Sequence, residues 1–189
     1  MKRVLVSLFS LFCIVFQAQS QQTDFGTLRL KAGGGYAHDF PGLNGWTAYG
    51  EGSFQMLPRL EGAVGVKRAQ LKGFPRTSTV QEYTNATTFD FTLYYIPIET
   101  ETQLIRVGLG YTMSAYSIRR SFPVISGTGP DKATNWPVQD QKSRTHGVNL
   151  VTEYEYMIPE TPVSVGLRAS LFKAYDRVSY VGSFIGLRF

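Results

Sequence analysis

The sequence has a single cysteine and two histidines in 189 residues, and only 17% of it is charged. Each scarcity excludes something. Cys13 lies in an apolar N-terminal stretch, so the rest of the chain can form neither a disulfide framework nor a thiolate metal site. Phe12 precedes it where a lipoprotein would carry a small residue, which argues against a lipid-bearing cysteine. His38 and His146 are too isolated for a metal-ligand cluster, and Gly33-Gly34-Gly35 leads into no helix that would make it a phosphate loop. No cofactor is therefore expected. The charged share falls below the roughly one quarter typical of soluble domains. After the N-terminal stretch, nothing approaches the about 18 consecutive apolar residues of a membrane-spanning helix. The net charge of +5 falls to +3 once Lys2 and Arg3 are set aside (17 basic against 14 acidic residues). The basic residues are scattered, so no nucleic-acid partner is expected.

What is present begins with an export signal. Lys2 and Arg3 form a positive start, Val4 to Phe16 an apolar segment, and Ala18-Gln19-Ser20 a small-residue cleavage site. The division expected is a signal peptide over residues 1–20 and one domain over 21–189; cleavage before Gln19 is the second option.

From Gly26 onward the pattern repeats every two residues, the period of a β-strand with two different faces. Eight segments show it: 26–37, 45–56, 60–71, 83–96, 103–118, 145–157, 163–175 and 178–189. In the fifth, Ile105, Val107, Leu109, Tyr111 and Met113 alternate with Arg106, Gly108, Gly110, Thr112 and Ser114. Connections alternate too. Pro58-Arg59, 97–102 and 159–162 are short and proline-bearing, whereas 38–44, 72–82 and 120–144 are longer and polar; Asp176-Arg177 is the exception. Short turns at one end and larger loops at the other fit a spanning barrel. The strand–proline–strand unit recurs around Pro58, Pro97 and Pro159, as expected for a residue that cannot donate to a ladder.

Alternation alone does not say which face is inside, since a soluble barrel buries its apolar face. Two features favour the inverse. Aromatics gather near segment ends (Tyr36, Trp46, Tyr95, Tyr154, Tyr156, Phe189), as interfacial girdles do. The opposite face carries both signs of charge: Arg29, Lys31, Glu51, Glu61, Lys67, Asp90, Arg106, Glu153, Glu155, Arg168 and Arg188. These are expected to form a polar network inside the cylinder. Eight strands leave an interior that side chains can fill, so a salt-bridged plug is favoured over a water path.

The ending Val181-Gly182-Ser183-Phe184-Ile185-Gly186-Leu187-Arg188-Phe189 resembles the C-terminal strand of bacterial outer-membrane proteins. The whole of 25–189 resembles the small outer-membrane barrels of the OmpA/OmpX-like group, and the Gln-rich junction after the signal resembles exported proteins of Bacteroidetes-type bacteria. The resemblance implies an all-β, eight-stranded antiparallel up-and-down transmembrane β-barrel in the outer membrane, monomeric and surrounded by lipid. It also implies that Ile185, Leu187 and Phe189 are read by the barrel-assembly machinery.

Three functions are open at this point. The first is a structural or surface-interaction role, with outer loops presented to an envelope or surface partner. The 120–144 loop, with Arg120, Phe122 and Trp136, is the candidate contact, since exposed Arg and aromatics anchor interfaces. The second is a narrow pore for small solutes or ions. The third is a lipid-modifying enzyme built on His38 with Asp39, or on His146, and a loop serine such as Ser78 or Ser143. No ordered nucleophile motif accompanies those residues, so no catalytic residue is assigned.

Overall fold

The computed structural model describes residues 26–74, 80–121, 124–126, 133–135, 137–174 and 176–189. The export signal, Ser78, Phe122 and Trp136 lie outside the described residues. Eight antiparallel strands close into one barrel: β1 (Leu28–Asp39), β2 (Asn44–Leu57), β3 (Leu60–Gly73), β4 (Glu82–Glu99), β5 (Gln103–Ser121), β8 (Val138–Met157), β9 (Val163–Lys173) and β10 (Arg177–Arg188). Between β5 and β8, β6 (Val124–Ser126) and β7 (Ala133–Asn135) pair as a two-stranded sheet. Every barrel strand neighbours the next in the chain, and β1 closes the ring on β10. At that seam Leu28 and Phe189 exchange backbone hydrogen bonds of 3.2 and 2.9 Å. The fold is an up-and-down transmembrane barrel with the eight strands that the period-two pattern predicts.

Strand lengths are unequal, and this corrects the reading of 120–144 as a loop. β5 runs 19 residues and β8 runs 20, against 11 to 14 for β1, β2, β3, β9 and β10. Pairing of β8 with β9 begins only at Asn149, yet pairing of β8 with β5 continues to Ser121↔Val138. The outer half of β8, 138–148, is thus a free-edged ribbon laid on β5, which itself stays in the wall, paired with β4 out to Tyr83↔Arg119; 138–144 are exposed strand rather than loop.

The apolar-out polarity holds along only part of each strand. In β3, Val64 and Val66 face outward while Glu61 and Lys67 are buried; farther along, Arg68, Gln70 and Lys72 face outward and Ala69 and Leu71 are buried. In β5, Leu109, Tyr111 and Met113 give way to Ala115, Ser117 and Arg119 outside, with Tyr116 and Ile118 inside. The reversal is the pattern expected where a spanning barrel leaves lipid. Beyond it the wall faces water and packs its interior as soluble proteins do. Tyr36 and Trp46 face each other across β1 and β2 near this boundary, and Tyr95, Tyr154, Tyr156 and Phe189 lie toward the short-turn end, all outward. These are the two girdles.

Candidate functional site

The lumen has three layers. Nearest the short turns is a lattice of ions. Lys31, Arg106 and Arg168 converge on Glu153: Lys31 Nζ and Arg106 Nη2 reach Oε2 at 2.9 and 2.6 Å, and Arg168 Nη1 reaches Oε1 at 3.0 Å. Arg106 also donates to Glu61 at 2.6 Å and Glu155 at 2.5 Å, and Arg168 to Glu51 at 2.9 Å. Arg29 pairs with Glu61, and Lys67 with Asp90 at 2.9 Å. The fully buried members are five cations (Arg29, Lys31, Lys67, Arg106, Arg168) and five carboxylates (Glu51, Glu61, Asp90, Glu153, Glu155), so the buried charges balance; at the short-turn edge Arg29 also reaches the part-exposed Glu99 at 3.4 Å.

Neutrality decides whether such a lattice can exist. An isolated ion in low dielectric costs several kcal/mol, whereas paired and hydrogen-bonded ions offset that cost. Neutral groups add to the pairing, although the Nε of Arg29, Arg106 and Arg168 and Asp90 Oδ1 stay without a hydrogen-bond partner among the described residues. The Tyr94 hydroxyl donates to Glu51 at 2.9 Å, Ser164 to Glu155 at 2.5 Å, and Lys67 to Asn149 at 3.2 Å. Lys67 also sits 4.1 Å from the Phe172 ring centroid, and Arg168 lies 4.2 Å from that of Tyr49. Ten of the eleven residues expected inside are thus brought together. The eleventh, Arg188, is half-buried at the short-turn end; its Nη1 lies 3.0 Å from the Met157 sulfur, outside the carboxylate lattice.

Farther along, apolar side chains fill the bore. Tyr49, Ala69, Leu71, Ile118, Phe172, Val178, Tyr180 and Phe184 belong to one buried cluster, and Tyr49 and Tyr180 meet edge to face at 6.0 Å. Sequence reasoning missed this layer. Several of its members stand on the face otherwise marked polar, and the signal is the change of polarity along β3 and β5.

At the far rim, Arg120 closes the mouth. It donates to Glu82 at 3.0 Å and Asp176 at 2.7 Å and lies 3.6 Å from Asp39. Glu82 also accepts from the Ser121 backbone N–H at 2.9 Å and hydroxyl at 2.7 Å. This corrects the assignment of Arg120 as an exposed loop anchor. It is buried, because it follows Arg119 on a strand and adjacent strand residues point to opposite faces.

The same alternation separates the candidate catalytic groups. His38 faces outward and bonds Asn44 Oδ1 through Nδ1 at 2.8 Å, whereas Asp39 turns inward and accepts from Leu43 N–H at 2.7 Å. That bond braces the β1–β2 turn, where Gly42 takes φ +104°. His146 lies 2.5 Å from the Tyr111 hydroxyl on the outer wall, and Ser143, three positions away on β8, points to the other face. Neither imidazole ring is hydrogen-bonded to a serine among the described residues; Ser179, the register partner of His38, donates its hydroxyl to the His38 backbone carbonyl at 3.1 Å.

Three solved structures share this architecture. The chain is similar to Ail, the attachment invasion locus protein of Yersinia pestis, at 12% identity and TM-score 0.51, covering 87% of this chain and 99% of that one. It is similar to the N-terminal β-barrel domain of Pseudomonas aeruginosa OprF at 12% identity and TM-score 0.52, covering 87% and 98%. For Neisserial surface protein A the values are 14%, 0.54, 88% and 98%. The likeness is one of fold, that of small eight-stranded outer-membrane barrels. No protein-family model matches the sequence. No curated protein matches it either.

Proposed function

We propose that this chain is a closed outer-membrane barrel, exported by residues 1–20, whose role is to hold the β5–β8 ribbon at the cell surface for contact with a partner. The observation that carries this reading is the pairing of 138–148 with β5 alone, which leaves the outer edge of β8 free, beside a lumen filled by ions, apolar side chains and the Arg120 cluster. A rigid filled cylinder is a good base for a projecting ribbon and a poor conduit. The non-enzymatic reading is supported by the opposed directions of His38 and Asp39 and of His146 and Ser143. Assembly would use Ile185, Leu187 and Phe189, which stand outward in one row of β10 and its end.

Two measurements test this. In planar bilayers the folded protein should give no discrete conductance steps; reproducible steps would overturn the closed lumen. On intact cells, Ser143→Cys should react with a membrane-impermeant maleimide. The expected mature chain carries no other cysteine, so the label is unambiguous. Labelling only after the outer membrane is opened would reverse the orientation.

A further inference from the structure

The outer wall has a feature that neither the lumen nor the ribbon explains. Along β3 the outward residue just past the apolar run is Arg68, after Val66; along β4 it is Thr87, after Phe89; along β5 it is Ala115, after Met113. These three are direct register partners, and Ala115 is in turn the partner of Arg144 on β8. The next row outward is Gln70, Asn85, Ser117 and Lys142. Two rows of small or uncharged side chains are therefore flanked by Arg68 on one side and by Arg144 and Lys142 on the other. The flanks are three strand spacings apart, roughly 14 Å. Between them lies an open cleft of about 460 Å³.

The three cations are exposed, and among the described residues none has a carboxylate within ion-pairing distance. Arg119, in the row above, is different, because Asp140 satisfies it at 2.8 and 2.9 Å. A cleft of unpaired cations with a neutral floor, set where the wall turns from apolar to polar, lies at the depth of lipid headgroups. The exposed apolar residues Val66, Phe89 and Met113 lie immediately below it, suited to acyl chains. Arginine's planar fork suits phosphate oxygens, and Lys142 adds a point charge.

We infer that this cleft binds the phosphorylated headgroup of an outer-leaflet glycolipid. The inference rests on the proposed orientation, with the ribbon end outside. Lipid bound there would bridge β3 and the base of the ribbon, tying the ribbon's lean to the leaflet around it.

The test uses the folded mature protein in nanodiscs, titrated with a bisphosphorylated lipid A and with the same lipid after phosphatase treatment. Binding is read by native mass spectrometry and by protection of Lys142 from an amine reagent. The phosphorylated lipid should bind and protect. Removing one cation should weaken it roughly fivefold, and Arg68→Ala, Lys142→Ala and Arg144→Ala together about a hundredfold. Arg68→Lys with Arg144→Lys should retain most of the affinity. A control lacking Arg59, Lys173 and Arg177 removes the same charge elsewhere and should bind as the parent does. Heat-dependent gel mobility reports that each variant is folded. Equal binding of the two lipids, or unaltered binding by the triple variant, would overturn the site. So would inorganic phosphate alone protecting Lys142 as well as the lipid does. The orientation is judged separately by the Ser143→Cys label, so its failure is distinguishable from failure of the cleft.

Discussion

Arg106 and Glu153 face each other as register partners on β5 and β8, and their side chains meet at 2.6 Å within the barrel. The same guanidinium reaches Glu61 from across the lumen and Glu155 from the next inward position on β8. One cation thus serves three carboxylates. Arg106→Met should leave those acids underpaired and cost about 3–5 kcal/mol, the usual penalty for stranding a buried charge. Adding Glu153→Gln should recover part of it, giving a coupling of about 1–3 kcal/mol in a double-mutant cycle. Urea unfolding in lipid vesicles measures both; additive losses would show that the pair is not coupled.

The apolar layer, rather than the ions, should be the barrier to conduction. Water can thread a lattice of charges, whereas the packed rings of Tyr49, Phe172 and Tyr180 occupy the bore by bulk. Each truncation to Ala should cost about 3–5 kcal/mol where the space does not collapse. The combined Tyr49→Ala, Phe172→Ala and Tyr180→Ala barrel, if it assembles, should show small conductance steps absent from the parent. Continued silence from the assembled triple variant would assign the barrier to the Arg120 cluster instead.

Much of this was legible in the sequence because a membrane forces a simple rule. Within lipid, every second residue must be apolar, so Ile105 to Met113 and Val163 to Leu171 announce themselves, and the charges between them have nowhere to go but inward. The rule lapses outside lipid. Along 138–144 the outward residues are Asp140, Lys142 and Arg144, so no apolar alternation marks the strand, and a reading tuned to apolar-out strands starts it only at Thr145. That is why the ribbon looked like a loop and Arg120 like a surface anchor. The pairing of particular ions was not legible either. It depends on register and lumen curvature, which place Lys31 of β1 beside Glu153 of β8 across the bore.

Gly108 shows how large interior groups are accommodated. It is the register partner of Tyr94, and a Cβ there would stand 2.6 Å from the Tyr94 ring and 2.8 Å from the Thr92 methyl. Gly108→Val should push the ring away from Glu51 and destabilise the barrel by about 1–3 kcal/mol. Restoring space with Tyr94→Phe should recover little, because the ring is kept. Tyr94→Leu should recover more, at the expense of the hydroxyl bond. Chemical unfolding of the single and paired variants separates these outcomes.

Phe189 combines two tasks that can be pulled apart. Its backbone seals the β1–β10 seam against Leu28, and its exposed ring lies on the lipid side. Phe189→Ala keeps the backbone bonds. It should therefore refold in detergent almost as well as the parent, yet reach the outer membrane of growing cells in much lower amount. Equal loss in both settings would make the residue structural alone.

The Arg119–Asp140 pair clamps the outer half of β8 to the wall, through two bonds of 2.8 and 2.9 Å between β5 and β8. Hydrogen bonding from the guanidinium, with its charge, holds the Asp140 carboxyl below its ordinary range. A carboxyl depressed in the folded state contributes its clamping fully above the unfolded value of about 3.9 and loses it as pH falls through the lower folded value. Both groups are exposed, so the effect on global stability should be slight, with the ribbon alone responding. Amide exchange along 138–142 should be insensitive to acid down to about pH 4 and then accelerate beyond the intrinsic pH trend. In Arg119→Ala the carboxyl should titrate nearer its ordinary value, and the same amides should exchange faster at every pH. Exchange unchanged by Arg119→Ala would mean that the backbone ladder, not the ion pair, holds the ribbon closed.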